Sequence, residues 1–280
     1  ETEDGPVFRR ARAFLPKARA LDPTRLLMLN SGRFDNQFDT GSCCNPGGDA
    51  WEHVWGMEGP DGPRGDKGLK HPSRDGAGDF HLYPGVPHTP ETCAYLRNLG
   101  CNSKPVLLSE YGIGSLFDVV SEWRHFEGVG ARPDLEDAAL VREQSQKLYA
   151  DWKRLGFDDV YPFPEDMLRE SQRLNARQRS LGFNLVRANP NLCGFNLTGL
   201  LDHGMCGEGL WKFWRDWKPG MFDALCDGWS PLRWCLLAEP MHAYAGREVT
   251  VEAILATEDV LKPGAYPARF RVFGPHGRVW

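Results

Sequence analysis

The residues best placed to do chemistry lie in Leu107-Leu-Ser-Glu-Tyr-Gly-Ile-Gly114, where a carboxylate, Glu110, stands at the point where an apolar run meets a glycine-containing loop. An ionised glutamate is costly inside an apolar strand and useful at its mouth. Glu110 therefore reads as a working group rather than a solvated loop residue, suited to nucleophilic or acid/base chemistry. Glycoside hydrolysis needs a second carboxyl group, which in retaining enzymes lies about 5 Å from the first and can come from a distant strand. The candidate is Glu1, although a terminal glutamate taken alone is no more than a frayed end.

Other polar groups cluster near predicted strand ends. In Phe80-His-Leu-Tyr83 the polar and apolar residues alternate, so a strand aims His81 and Tyr83 to one side. Trp51, Trp55, Trp211, Trp214 and Trp217 offer apolar ring faces that match the C–H face of a pyranose, with Trp55 and Trp211 favoured because they sit in loops after strands. Asp202 and His203 end a further apolar segment and are candidates for lining a pocket or for capping a turn. A metallohydrolase is the competing chemistry, drawing on Asp79, His81, His88, Asp202 and His203, but neither HExxH nor a repeated HxH is present. A non-catalytic carbohydrate-binding protein is the third reading, for which the tryptophans argue and the two glutamates argue against.

The elements that must hold these groups follow from periodicity. Apolar residues at three/four spacing predict helices over residues 7–21, 135–155 and 164–188, and Thr89-Pro-Glu-Thr predicts a capped helix that Gly100 closes. Short apolar runs at residues 26–29, 80–83, 105–108 and 193–201 predict buried strands. Short strands alternating with amphipathic helices indicate a parallel sheet covered on both faces, and such sheets collect ligand chemistry at strand C-termini. The other parallel architecture, a doubly wound open sheet, lacks its glycine-rich phosphate loop here. Residues 33–78 read as a long polar loop. Beyond about Trp229 the period changes to two, with Val249, Val251, Ala253 and Leu255 on one face and Ala268, Phe270 and Val272 on another strand, as in the first strands of a β-sandwich.

With 280 residues, of which 41% are hydrophobic, the chain can bury one large or two ordinary domains. A net charge of -5 gives no basic field for a phosphate backbone, so nucleic acid is a poor partner. No apolar run approaches the ~20 residues that cross a bilayer, so no membrane partner is expected. The eight cysteines are dispersed without zinc spacing and read mostly as small buried hydrophobes. The first residues form neither a signal peptide nor a start at methionine, so the chain reads as cut from something longer and its compartment is open.

The run Glu110-Tyr-Gly, the segment Asp79-Phe-His-Leu-Tyr-Pro84 and Gly194-Phe-Asn-Leu-Thr-Gly-Leu-Leu-Asp202 with Gly209-Leu-Trp211 resemble strands seven, six and eight of clan A glycoside hydrolases, most closely family 2, the β-galactosidase, β-glucuronidase and β-mannosidase family. The resemblance implies an α/β fold: residues 1–228 as the C-terminal half of a TIM (β/α)8 barrel, strands four/five to eight, and residues 229–280 as the beginning of an immunoglobulin-like β-sandwich. It implies a retaining enzyme on β-linked glycosides that needs no cofactor or metal. Glu110 would be the nucleophile, Glu1 the acid/base at the end of strand four, and His81, Tyr83, Trp55, Asp202 and Trp211 substrate-binding residues. The partner implied is a carbohydrate, with self-association of the full-length protein left open. Residues 33–78 and 116–178 have no counterpart in that pattern.

Overall fold

The computed structural model describes residues 6–24, 79–99, 106–274 and 277. The chain is mixed α/β. Helix α1 (Pro6–Leu21) comes first, then strand β1 (Asp79–Leu82), helix α2 (Pro90–Asn98) and strand β2 (Val106–Gly112). Helices α3 (Val119–Gly128), α4 (Glu136–Arg154) and α5 (Pro164–Arg187) lead to strand β3 (Leu192–Thr198), helix α6 (Met221–Gly228) and the strands β4 (Leu232–Glu239) and β5 (Thr250–Thr257).

The strands β1, β2 and β3 are parallel neighbours in that order. Parallel pairing requires a crossover between consecutive strands; α2 supplies the first, and α3, α4 and α5 together supply the second. The helix ends follow local chemistry. The Thr89 hydroxyl accepts from the Thr92 amide at 3.3 Å and Pro90 opens α2. Helix α4 begins with Glu136 and Asp137 and finishes with Lys153 and Arg154, and α5 starts at Pro164 with acidic Glu165 and Asp166, which suits the helix dipole.

The main core is where the sheet meets α2 and α5: Leu82, Leu96, Leu99, Leu108, Tyr111, Ile113, Leu185 and Val186. A second cluster joins α5 to α6 through Ala176, Phe183, Met221 and Leu225, with Phe195 and Leu197 of β3 packed against it. Phe126, Ala138 and Val141 fasten α3 to α4, under Phe213 and Trp214.

Three expectations need correction. The strand predicted over residues 193–201 forms as β3 but is not fully buried, because Cys193 and Asn196 are exposed and no strand among the described residues pairs with its far edge. The period-two segment produces only the antiparallel pair β4 and β5, and residues 266–272 take no regular structure. On that pair Arg233 and Cys235 face the helices, while Trp234, Leu236, Val251 and Leu255 stay partly exposed, with Phe270 packed edge-on to Trp234 at 5.4 Å. Of the five described cysteines only Cys235 is buried. The predicted strand at 26–29 and the loop at 33–78 lie outside the described residues. Among the described residues no closed barrel is seen, and no helix is long and apolar enough to cross a membrane.

Candidate active site

Strand β2 places Glu110 where its apolar start, Leu107 and Leu108, gives way to polar residues. Leu108 and Tyr111 are sunk in the core, and the ladder register to β3 shifts between them, which re-aims the intervening Ser109 and Glu110. Glu110 is half-buried. Its Cα partner on β1 is His81, across a second register shift between Phe80 and His81.

Tyr83, just past the end of β1, donates its hydroxyl to Oε2 of Glu110. Burial pushes this phenol well above its ordinary pKa, and the Glu110 bond, together with the negative charges of Glu110 and Glu208, pushes the same way; a side-chain hydrogen bond with Thr198 opposes them. The proton therefore stays on Tyr83, whose hydroxyl donates to the carboxylate. Gly112 makes the arrangement sterically feasible, because a Cβ there would collide with the Tyr83 ring and come within 3.1 Å of Oε2 of Glu208.

Glu208 was not anticipated from sequence. It comes from the loop after β3, with its carboxylate against Gly112 and Gly199 and its Oε1 3.8 Å from Nε2 of His203. The sign available in the sequence was a carboxylate between two glycines, Gly207 and Gly209, shortly after a strand. Arg179 was missed as well. This fully buried side chain of α5 donates to the carbonyls of Glu208 at 2.8 Å, Thr198 at 3.2 Å and Ile113 at 3.4 Å, tying together the ends of β2, β3 and the loop. Burial lowers its pKa to about 10.

The loop itself is built on a buried ion pair. Asp202 accepts from Lys218 Nζ at 2.7 Å and from the Gly209 amide at 2.8 Å, and Lys218 also reaches the Gly207 carbonyl and Ser115 Oγ at 2.7 and 3.0 Å. Burial pushes the Asp202 carboxyl up and the Lys218 ammonium down, although each charge favours the other. Asp202 thus holds the loop and is sealed from solvent rather than lining a pocket.

Trp211 is half-buried and packs edge-on to Trp217 at 5.1 Å, and Trp214 is packed against Phe126, Phe213 and His125. Trp217 keeps 43% of its surface exposed. Of the sequence-derived site residues, Glu110 and Tyr83 are in contact and His81 is in register beside them, while Glu1 and Trp55, like Trp51, lie outside the described residues. The groups of the metal reading do not converge: His88 is buried, 3.0 Å from the Gly85 carbonyl and 3.3 Å from the Tyr111 hydroxyl, and Asp202 is held by Lys218. Among the described residues no three histidine, cysteine or carboxylate groups are placed to hold a metal ion. Comparison of the chain with models of protein families, with curated proteins and with solved structures gave no match.

Proposed function

We propose that the chain belongs to a retaining glycoside hydrolase that acts on β-linked glycosides, with β1, β2 and β3 as strands six, seven and eight of a (β/α)8 barrel. Residues 1–228 are its catalytic part and residues 229–280 open a β-sandwich. The observation that carries this reading is the bond from Tyr83 to Glu110 at the C-terminal end of a parallel sheet, inside Ser109-Glu110-Tyr111-Gly112. Parallel α/β enzymes gather their catalytic groups at that end.

In this reading Glu110 attacks the anomeric carbon as a carboxylate and forms a glycosyl-enzyme, which water then releases with retention. A fixed phenol donor orients the attacking oxygen and leaves the other for the substrate. Glu1 serves as the acid that protonates the leaving oxygen and then as the base that activates water. The register shifts between Phe80 and His81 and between Leu108 and Tyr111 fall at Glu110 and its partner His81, which frees this stretch of backbone from ladder regularity and favours side chains aimed along the barrel axis.

The test uses the full-length protein. Wild type should release 4-nitrophenol from at least one of the β-galactoside, β-glucuronide and β-mannoside, and Glu110→Gln should abolish the release. Glu1→Gln should spare these activated substrates, because a nitrophenolate needs little protonation to leave, and should fail on alkyl glycosides. Equal turnover by wild type and Glu110→Gln across all three substrates would end the assignment.

A further inference from the structure

The helices inserted between β2 and β3 do more than cross from one strand to the next. With the loop after β3 they enclose a second concavity of about 600 Å³, bounded by α3, the first turns of α5 and residues 212–219. This volume falls in the ~300–1,000 Å³ range of small-molecule sites. Its walls adjoin the loops that follow β2 and β3, the end of the sheet that carries Glu110. Trp217, on its wall, is bridged to Trp211, which is bridged to Leu201 just past β3, and the Ser115 amide on the loop after β2 bonds the Gly207 carbonyl at 2.7 Å, next to Glu208.

The lining is balanced in charge. Lys212 meets Asp118 at 3.3 Å, Arg169 meets Asp166 at 3.6 Å, and Arg124 is paired with Glu165, which also accepts from the Tyr149 hydroxyl at 2.8 Å. An ionic ligand would have to displace one partner of such a pair, leaving the other charge uncompensated. A polyhydroxyl ligand can use both partners at once, as its hydroxyls donate to the carboxylates and accept from the cations. The exposed surface of Trp217, braced by Trp211 at 5.1 Å and Phe222 at 5.4 Å, adds a rigid apolar wall suited to the C–H face of a sugar.

We infer that this cavity is a second sugar-binding subsite, which holds a neutral pyranose unit of the substrate away from the bond that is cleaved, against Trp217. The inference rests on the glycosidase reading and adds to it a preference for oligosaccharides over single glycosides.

The experiment titrates the full-length Glu110→Gln protein calorimetrically with cellobiose, lactose and β-1,4-mannobiose, with and without Trp217→Ala or Arg169→Ala. The second variant alters a half-exposed rim position, so it reports on the cavity even if Trp217→Ala fails to fold. At least one disaccharide should bind, both variants should weaken it, and Trp217→Ala should do so by about tenfold, the factor that ~1.4 kcal/mol of lost stacking gives. Binding of none of the three, or unchanged binding in the variants that fold, overturns the subsite. Hydrolysis of aryl glycosides by the wild type without any such disaccharide effect would sink the subsite and leave Glu110 standing. Tryptophan-dependent binding with no hydrolysis by the wild type would uphold the subsite and sink the glycosidase reading.

Discussion

Two groups of carboxylates lie at the same end of the sheet and live by different rules. At the mouth, Glu110 is half-buried, bonded by a neutral hydroxyl and accompanied by Glu208. Beneath the loops, Asp202 is sealed against Lys218, and Glu122 of α3 is 1% exposed without a close cationic partner among the ion pairs of the described residues. A buried carboxylate needs a cation or a proton, and both take it out of service as an anion. A carboxylate at a half-open mouth can remain an anion and still be aimed. The contrast separates groups that serve the fold from groups available for chemistry.

The sharpest way to break the contrast is to neutralise one member of each group. On the proposed glycosidase reading, Glu110→Gln should lower kcat on a 4-nitrophenyl β-glycoside by about a thousandfold or more, because an amide of the same shape cannot act as an anionic nucleophile. Its urea midpoint should stay near that of wild type. Lys218→Met should do the reverse, costing about 3–5 kcal/mol of stability by stranding Asp202, seen as a lower urea midpoint. If Glu110→Gln instead destabilised the protein while Lys218→Met did not, the division of labour would be wrong.

Glu122 sharpens the comparison through pH. Burial, and then the nearby charge of Asp118, raise its carboxyl from 4.5 to about 7 in the folded chain. The native state therefore keeps a proton that the unfolded state loses between those values. This contribution to stability is fully present below about pH 4.5 and is lost as pH rises through about 7. Glu122→Gln should remove this dependence and raise stability at pH 8 by on the order of 3 kcal/mol, measured as melting temperature against pH in wild type and variant. The smallest expected effect is at the mouth. Tyr83→Phe removes one donor from Glu110 and should lower kcat about ten- to a hundredfold with little change in melting temperature.

Much of the frame was legible because it is written locally. Thr89 and Pro90 cap α2, Pro164 starts α5, and the apolar start of β2 stops at polar residues. Tyr83 and Glu110 were legible for the same reason, since Tyr83 stands just beyond β1 and Glu110 follows the apolar start of β2. Glu208 was not, because its place depends on a loop path set by the pairing of Asp202 with Lys218, sixteen residues apart in the chain. Arg179 was hidden in the periodic face of α5, where a cation among Ala176 and Phe183 has no local sign that three carbonyls await it. The cavity beside Trp217 could not be read either, since its walls come from three separated segments. The segment at residues 266–272 erred the other way. Its alternation satisfies a strand pattern, but a pattern supplies no partner, and no strand pairs with it among the described residues.

The crowding at Gly112 has a consequence for how sequence change is tolerated. The fourth residue of Ser109-Glu110-Tyr111-Gly112 serves as a seat for an aromatic ring from just past β1, so positions 83 and 112 form one steric unit. A methyl group at 112 evicts the ring and disarms Glu110 without touching it. A change at 83 to a small residue would free 112 to drift, and the motif would decay from its glycine inward. Related chains that keep the tyrosine should keep the glycine, and chains that have lost one should have lost the other, along with the activity that joins them.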